Sequence, residues 1–164
     1  MGNPAIGFKV DEVLSSAARI NSGKGFKLGQ RVQTNDGKMF VYAKNASSNA
    51  IYSIVNVDAN FAITGLTTAT SGASEIVGVL PVAIASDEYG WVQIYGRTKL
   101  RVLGSCVKNI TLWSTTTAGA VDDATASNYQ IQNINLLSTN PSATATALSA
   151  FIAHPSVLRR AGTT

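Results

Sequence analysis

Residues 75–124, EIVGVLPVAIASDEYGWVQIYGRTKLRVLGSCVKNITLWSTTTAGAVDDA, read as successive β-strands joined by short turns. Residues 76–85 form one apolar run, broken by Gly78 and by Pro81, and a proline within a ladder requires an edge position or a bulge. Residues 86–90 are a turn, and 91–95 follow as a strand. Thr98, Leu100 and Val102 then alternate with Lys99 and Arg101, the period of a half-exposed strand with one basic face. Gly96 marks either a tight turn or a bend in one long strand. Residues 110–114 and the segment around Val121 flank Thr117-Ala118-Gly119, a hairpin-like turn. Apolar residues often sit on both faces, and almost no reactive side chains appear. This pattern suits a scaffold or an adhesive surface better than a catalyst.

Upstream, residues 31–34 and 39–44 flank Asn35-Asp36-Gly37, a strong hairpin signal because glycine tolerates a positive φ. Met39, Val41 and Ala43 point one way, Phe40 and Tyr42 the other. Such a strand is internal to a barrel or sandwich, or lies at an interface. Residues 51–57 make a further strand, followed by an Ala/Thr/Ser/Gly-rich connection over 64–74. Downstream, 129–137 and 145–153 complete the set before Pro155. The expected fold is all-β, a compact β-barrel or β-sandwich of about eight short strands.

Residues 1–29 differ. Val10, Val13, Leu14 and Ala17 fall at helical spacing, with Asp11 able to cap and Glu12 suited to the positive end of the helix dipole. Asn21-Ser22-Gly23 stops this short helix. A helix of about ten residues is marginal alone in water, so it needs a surface, either its own domain or a neighbouring subunit. The expected division is an N-terminal arm at 1–29, a β-domain at 30–158 and a basic tail at 159–164.

Charged residues make up 13% of the chain, against about 25% in ordinary domains. Ser, Thr, Asn and Ala take their place. Charge is costly to desolvate and is depleted at interface cores. The composition therefore fits either a protein largely covered by partners or an exported β-domain with few charges. Residues 1–44 carry a net +4 and 45–158 a net −2, while Arg159 and Arg160 add two more cations. Basic ends suggest an acidic partner surface. No run of five like charges and no basic stripe with interleaved aromatics is visible, so direct nucleic-acid binding is not expected.

Chemistry is sparse. His154 is the single histidine and Cys106 the single cysteine. A catalytic triad needs a base within reach of a nucleophile, and zinc needs several His or Cys ligands, so no catalytic residue, metal or cofactor is expected. Asp122-Asp123 and Asp87-Glu88 lack calcium-loop spacing. Asn45-Ala46-Ser47 and Asn109-Ile110-Thr111 match the glycosylation sequon. Trp91, Trp113, Tyr89 and Tyr95 are either core or a sugar-stacking platform. The opening MGNPAIGFKV lacks a charged start before an apolar core, and no apolar run reaches the ~18 residues of a span, so neither export nor a membrane is expected.

The order of segments NDGKMFVYAKNASSNA, ITGLTTATSGASEIVGVLPVAIA and DEYGWVQIYGRTKLRVLGSCVKNITLWSTTTAGAVDDA resembles that of bacteriophage capsid decoration (cement, head-stabilising) proteins. The elements carrying it are Asp36-Gly37 before an aromatic strand, Gly78 in the apolar strand, Tyr89-Gly90-Trp91-Val92 with a basic alternating strand after it, and the turn leading to Asp122-Asp123. It covers roughly residues 30–153 and leaves the arm outside. The resemblance implies a structural virion protein, made in the host cytoplasm. It would bind the major capsid protein on the outer capsid surface as a homotrimer where capsomers meet, holding the head against DNA pressure. Ile6, Phe8, Val10, Val13, Leu14, Phe26 and Leu28 are the expected capsid-docking residues of the arm. The alternative is a glycan- or host-surface-binding β-sandwich module; a small β-fold enzyme is disfavoured.

Overall fold

The computed structural model describes residues 9–18, 26–71, 76–125 and 129–160. Ten strands fill it: β1 (Arg31–Gln33), β2 (Met39–Asn45), β3 (Ile54–Val57), β4 (Ala62–Gly65), β5 (Ile76–Val79), β6 (Tyr89–Val102), β7 (Leu112–Ser114), β8 (Val121–Asp122), β9 (Tyr129–Leu136) and β10 (Thr146–Arg159). The fold is all-β, built on a closed five-stranded barrel. Most strands are short, but β6 and β10 each run for 14 residues.

The long β6 organises the molecule. Its first half pairs with β2 from Tyr89↔Lys44 to Tyr95↔Met39 and touches β5 at Gln93↔Val79. The order β2–β4–β3–β5–β6 thereby closes on itself. Its second half pairs antiparallel with β10, from Tyr95↔Ala153 to Val102↔Thr146. From there β9, β7 and β8 lead back to β6 through one parallel contact, Val102↔Val121. Two circuits of strands therefore share one strand.

Gly96 lies where the two halves meet and is a bend in one long strand. Its φ of 101° is inaccessible to most L-residues, and a Cβ there would come 2.9 Å from Lys38 Cγ. The Gln93 amide, buried, donates to Tyr95 O at 3.1 Å and Arg97 O at 2.9 Å, holding the bend from inside. In β10 the strand continues through Pro155 where the sequence suggested an end at 153. A bulge between Ile152 and Ser156 absorbs the missing donor, with His154 at φ 52° and Asn133 opposite at φ 61°.

The packing follows the pleat. Val41, Ala43, Val55, Val57, Ile63, Val92 and Ile94 face the interior of the first circuit. Leu100, Val102, Leu112, Val121, Ile131, Leu136 and Ile152 fill the second, joined by Ile54, Val77 and Val79. Phe40, Tyr42 and Trp91 point to the outside of the first barrel, where Val10, Phe26 and Leu28 cover them. The two-faced apolar β2 is thus a barrel strand whose outer face lies beneath the arm.

Three expectations change. Residues 10–14 are not helical: Leu14 forms a β-bridge with Tyr89, Leu14 N donating to Tyr89 O at 2.9 Å and Leu14 O accepting from Tyr89 N at 2.8 Å. Helix appears at 16–18, capped by Ser15 Oγ on Ala18 N at 3.1 Å. The connection assigned to 64–74 begins with β4, which pairs parallel to β2 at Lys44↔Ala62 and Asn45↔Ile63. The apolar run 76–85 is strand only over Ile76–Val79, after which Ile84 bridges Asn49.

Candidate functional site

The arm residues named from the sequence pack on their own chain wherever they are described. Ile6 and Phe8 lie outside the described residues. Val10, Phe26 and Leu28 cover Phe40, Tyr42 and Trp91, with the Phe26 ring edge-on to Trp91 at 4.9 Å and to Tyr42 at 5.5 Å. Val13 packs against the interior cluster of the first barrel, and Leu14 is 9% exposed. Among the described arm residues Leu14 is buried, while Val10, Val13, Phe26 and Leu28 are half-buried against their own body.

The aromatic residues offer no stacking platform among the described residues. Trp91 is 1% exposed and Trp113 5%, with the Arg160 guanidinium 5.4 Å from the Trp113 ring centre. Tyr95 is edge-on to Phe151 at 5.5 Å.

Cys106, Asp122 and Asp123 bring a thiol and two carboxylates within 4.8 Å of one another. Burial, with the neighbouring Asp123 and Asp122 charges, pushes the Cys106 thiol up to about 11. Burial also raises the Asp122 carboxyl. The Asp123 carboxylate accepts from Val107 N at 2.8 Å, which ties the cluster to the turn after Cys106. A protonated, buried thiol is a poor nucleophile and a poor ligand. His154, at the β10 bulge, lies tilted against Tyr95 at 5.6 Å and lines a cavity of about 240 Å³ with Arg31, Ile76, Val77, Ile94, Pro155 and Ser156.

Of the two sequons, Asn45 is fully buried. Its amide donates to Ile84 O at 2.6 Å and Ala85 O at 3.1 Å, and its Oδ1 accepts from Asn49 at 2.8 Å, so it is a structural clamp. Asn109 is exposed, beside an open groove of about 480 Å³ lined by amides of Gln130, Gln132, Asn133 and Asn135.

A charge asymmetry invisible in the linear reading appears once the circuits are drawn. Residues 1–88 carry seven cationic and seven acidic side chains. Residues 89–164, which contain all of β6 to β10, carry six cationic against two acidic, and both acids are in the Asp122-Asp123 turn. The whole net charge of +4 therefore belongs to the half that builds the second circuit. On β6, Leu100 and Val102 enter the core, which turns Arg97, Lys99 and Arg101 outward. Among the described residues the ion pairs are Lys38–Asp36 and Lys44–Asp87, so none of these three pairs with a carboxylate. No described helix is long and apolar enough to cross a membrane.

No family model, curated protein or solved structure matches the chain.

Proposed function

We propose that this chain is a structural protein that coats a larger protein shell, in the manner of phage capsid decoration proteins. It binds the major capsid protein on the outer capsid surface as a homotrimer, and it works by adhesion without a bond-making step. The observation that carries the reading is where the polar chemistry is placed. Buried polar side chains such as Asn45, Asn49 and Asn140 clamp loops to the body: Asn140 donates to Leu103 O and Thr144 O, both at 2.9 Å. Three cationic side chains of β6, by contrast, point outward from a sheet face, Arg97 and Lys99 exposed and Arg101 partly buried.

A closed β-body with one such face suits a clamp between neighbouring subunits. Copies arranged in a ring present that face repeatedly, so a weak single contact gains by multivalency. The glycan-binding alternative has no exposed tryptophan in its favour. The test is co-sedimentation with phage shells assembled without this chain. Saturable binding and slower shell rupture on heating are expected; a chain that stays in the supernatant at every concentration overturns the proposal.

A further inference from the structure

The β6–β10 sheet face is assembled from two distant parts of the sequence, and its chemistry goes further than its position. Arg97, Lys99 and Arg101 stand at alternate positions, roughly 6.6 Å apart along the strand. Directly across on β10 are Phe151, Ser149 and Ala147, all uncharged, so no counter-charge faces the cations from the paired strand. No acidic residue occurs anywhere in β6, β9 or β10. The stripe is flanked on one side by Tyr52, whose ring lies 5.6 Å from Lys99 Nζ and whose carbonyl accepts from Arg101 N at 2.9 Å. Beside Tyr52, Ile51 is 43% exposed; on the far side, after β9, Leu137 is 38% exposed and donates its N to Ser149 O. Arginines with neighbouring exposed aliphatic groups on one sheet face form the composition of a protein-docking patch.

We infer that the Arg97–Lys99–Arg101 face of β6 is the docking surface of this chain, and that its partner is an acidic protein surface bearing carboxylates. The identity of that partner as a capsid shell rests on the function proposed above; the face and its charge preference do not. Charge complementarity argues for carboxylates, because Arg97 and Lys99 are exposed, Arg101 is partly buried, and none of the three has a carboxylate partner among the described residues. The state of the aromatics argues against a nucleic acid strand. Bases need open ring faces, whereas Tyr95 and Phe151 pack edge to face on each other and Tyr52 sits beneath Lys99.

The test uses the full chain and the triple variant Arg97→Glu, Lys99→Glu, Arg101→Glu, with circular dichroism and a melting curve to show that both fold alike. A single Lys99→Gln variant serves if the triple does not fold. Three probes are titrated: poly-L-glutamate, a single-stranded oligothymidylate of equal charge, and shells lacking the chain. Binding of poly-L-glutamate that weakens as salt rises, and falls at least roughly tenfold in the triple variant, is the expected result. For Lys99→Gln the expected fall is about twofold to threefold. Tighter binding of the oligothymidylate than of poly-L-glutamate overturns the partner class. Binding to neither, or equal binding by the variants, overturns the face. If poly-L-glutamate behaves as expected but wild-type chain ignores the shells, the docking face stands and the capsid reading fails. Shells that hold the triple variant as tightly as the wild type reverse that outcome. Self-association at assay concentration that the triple variant abolishes makes a second copy the partner, against the inference.

Discussion

Two side chains make pH-sensitive contacts in this body. Asp36 closes the β1–β2 turn, accepting from Thr34 Oγ1 and pairing with Lys38 at 2.6 Å, and these contacts lower its carboxyl to about 2. A depressed folded-state value stabilises above the unfolded value and is lost as pH falls through the folded one. This exposed pair therefore weakens between roughly pH 4 and pH 2. Cys106 acts at the other end. Its thiol is raised from 9.0 to about 11, so its contribution is complete below pH 9 and disappears as pH rises through 11. Folded protein at pH 8 should resist alkylation by iodoacetamide and become reactive only in denaturant; rapid labelling of native chain would show the thiol to be open. Asn45→Ala removes the acceptor of Asn49 and the donor to Ile84 O. A loss of about 1–3 kcal/mol in urea unfolding is expected, for which an unchanged midpoint is the contrary result.

Elements are positioned by a few backbone decisions. Gly96→Ala forces a side chain onto φ 101°, and a cost of about 1–2 kcal/mol is expected from the left-handed backbone alone. The arm gives a second expectation. Phe26→Ala strips the cover from Tyr42 and Trp91, and for a partly buried ring about 2 kcal/mol is expected, together with a rise in tryptophan quenching by acrylamide. Unchanged quenching would mean that the arm does not lie there in solution. The sequence carried the β1–β2 hairpin in Asn35-Asp36-Gly37, and the alternation of β2, because both signals are local. It did not carry β4, whose four residues Ala62–Gly65 become a strand only by pairing with β2 and β3. Nor did it carry the absence of helix over residues 10–14. Val10, Val13 and Leu14 have helical spacing, but the Tyr89 backbone offers Leu14 two hydrogen bonds that a marginal helix cannot match.

For the whole molecule, the all-β character follows from period-two alternation, but the sharing of β6 between two circuits is a matter of long-range pairing. That sharing also hides the charge asymmetry from a linear reading: cut at residue 44, the sequence looks like a basic arm on an acidic body. Cut at residue 88, where β6 is about to begin, it separates a neutral first part from a second that holds the entire net charge. The cationic residues on β6 were visible as one basic strand face, yet their acid-free surroundings come from β10, whose Ala147 and Phe151 pair with Arg101 and Arg97, and from β9 beyond it. A chain that clamps a lattice should itself associate, and sedimentation equilibrium is expected to give a trimer; a clean monomer at shell-binding concentrations would remove the multivalent part of the account. The most direct measurement of the central claim is the density difference between shells assembled with and without this chain. The account expects added density on the outer surface where capsomers meet, fitting the ten-stranded body with β6 turned toward the shell. Identical maps, with the chain absent from the purified particles, would contradict it.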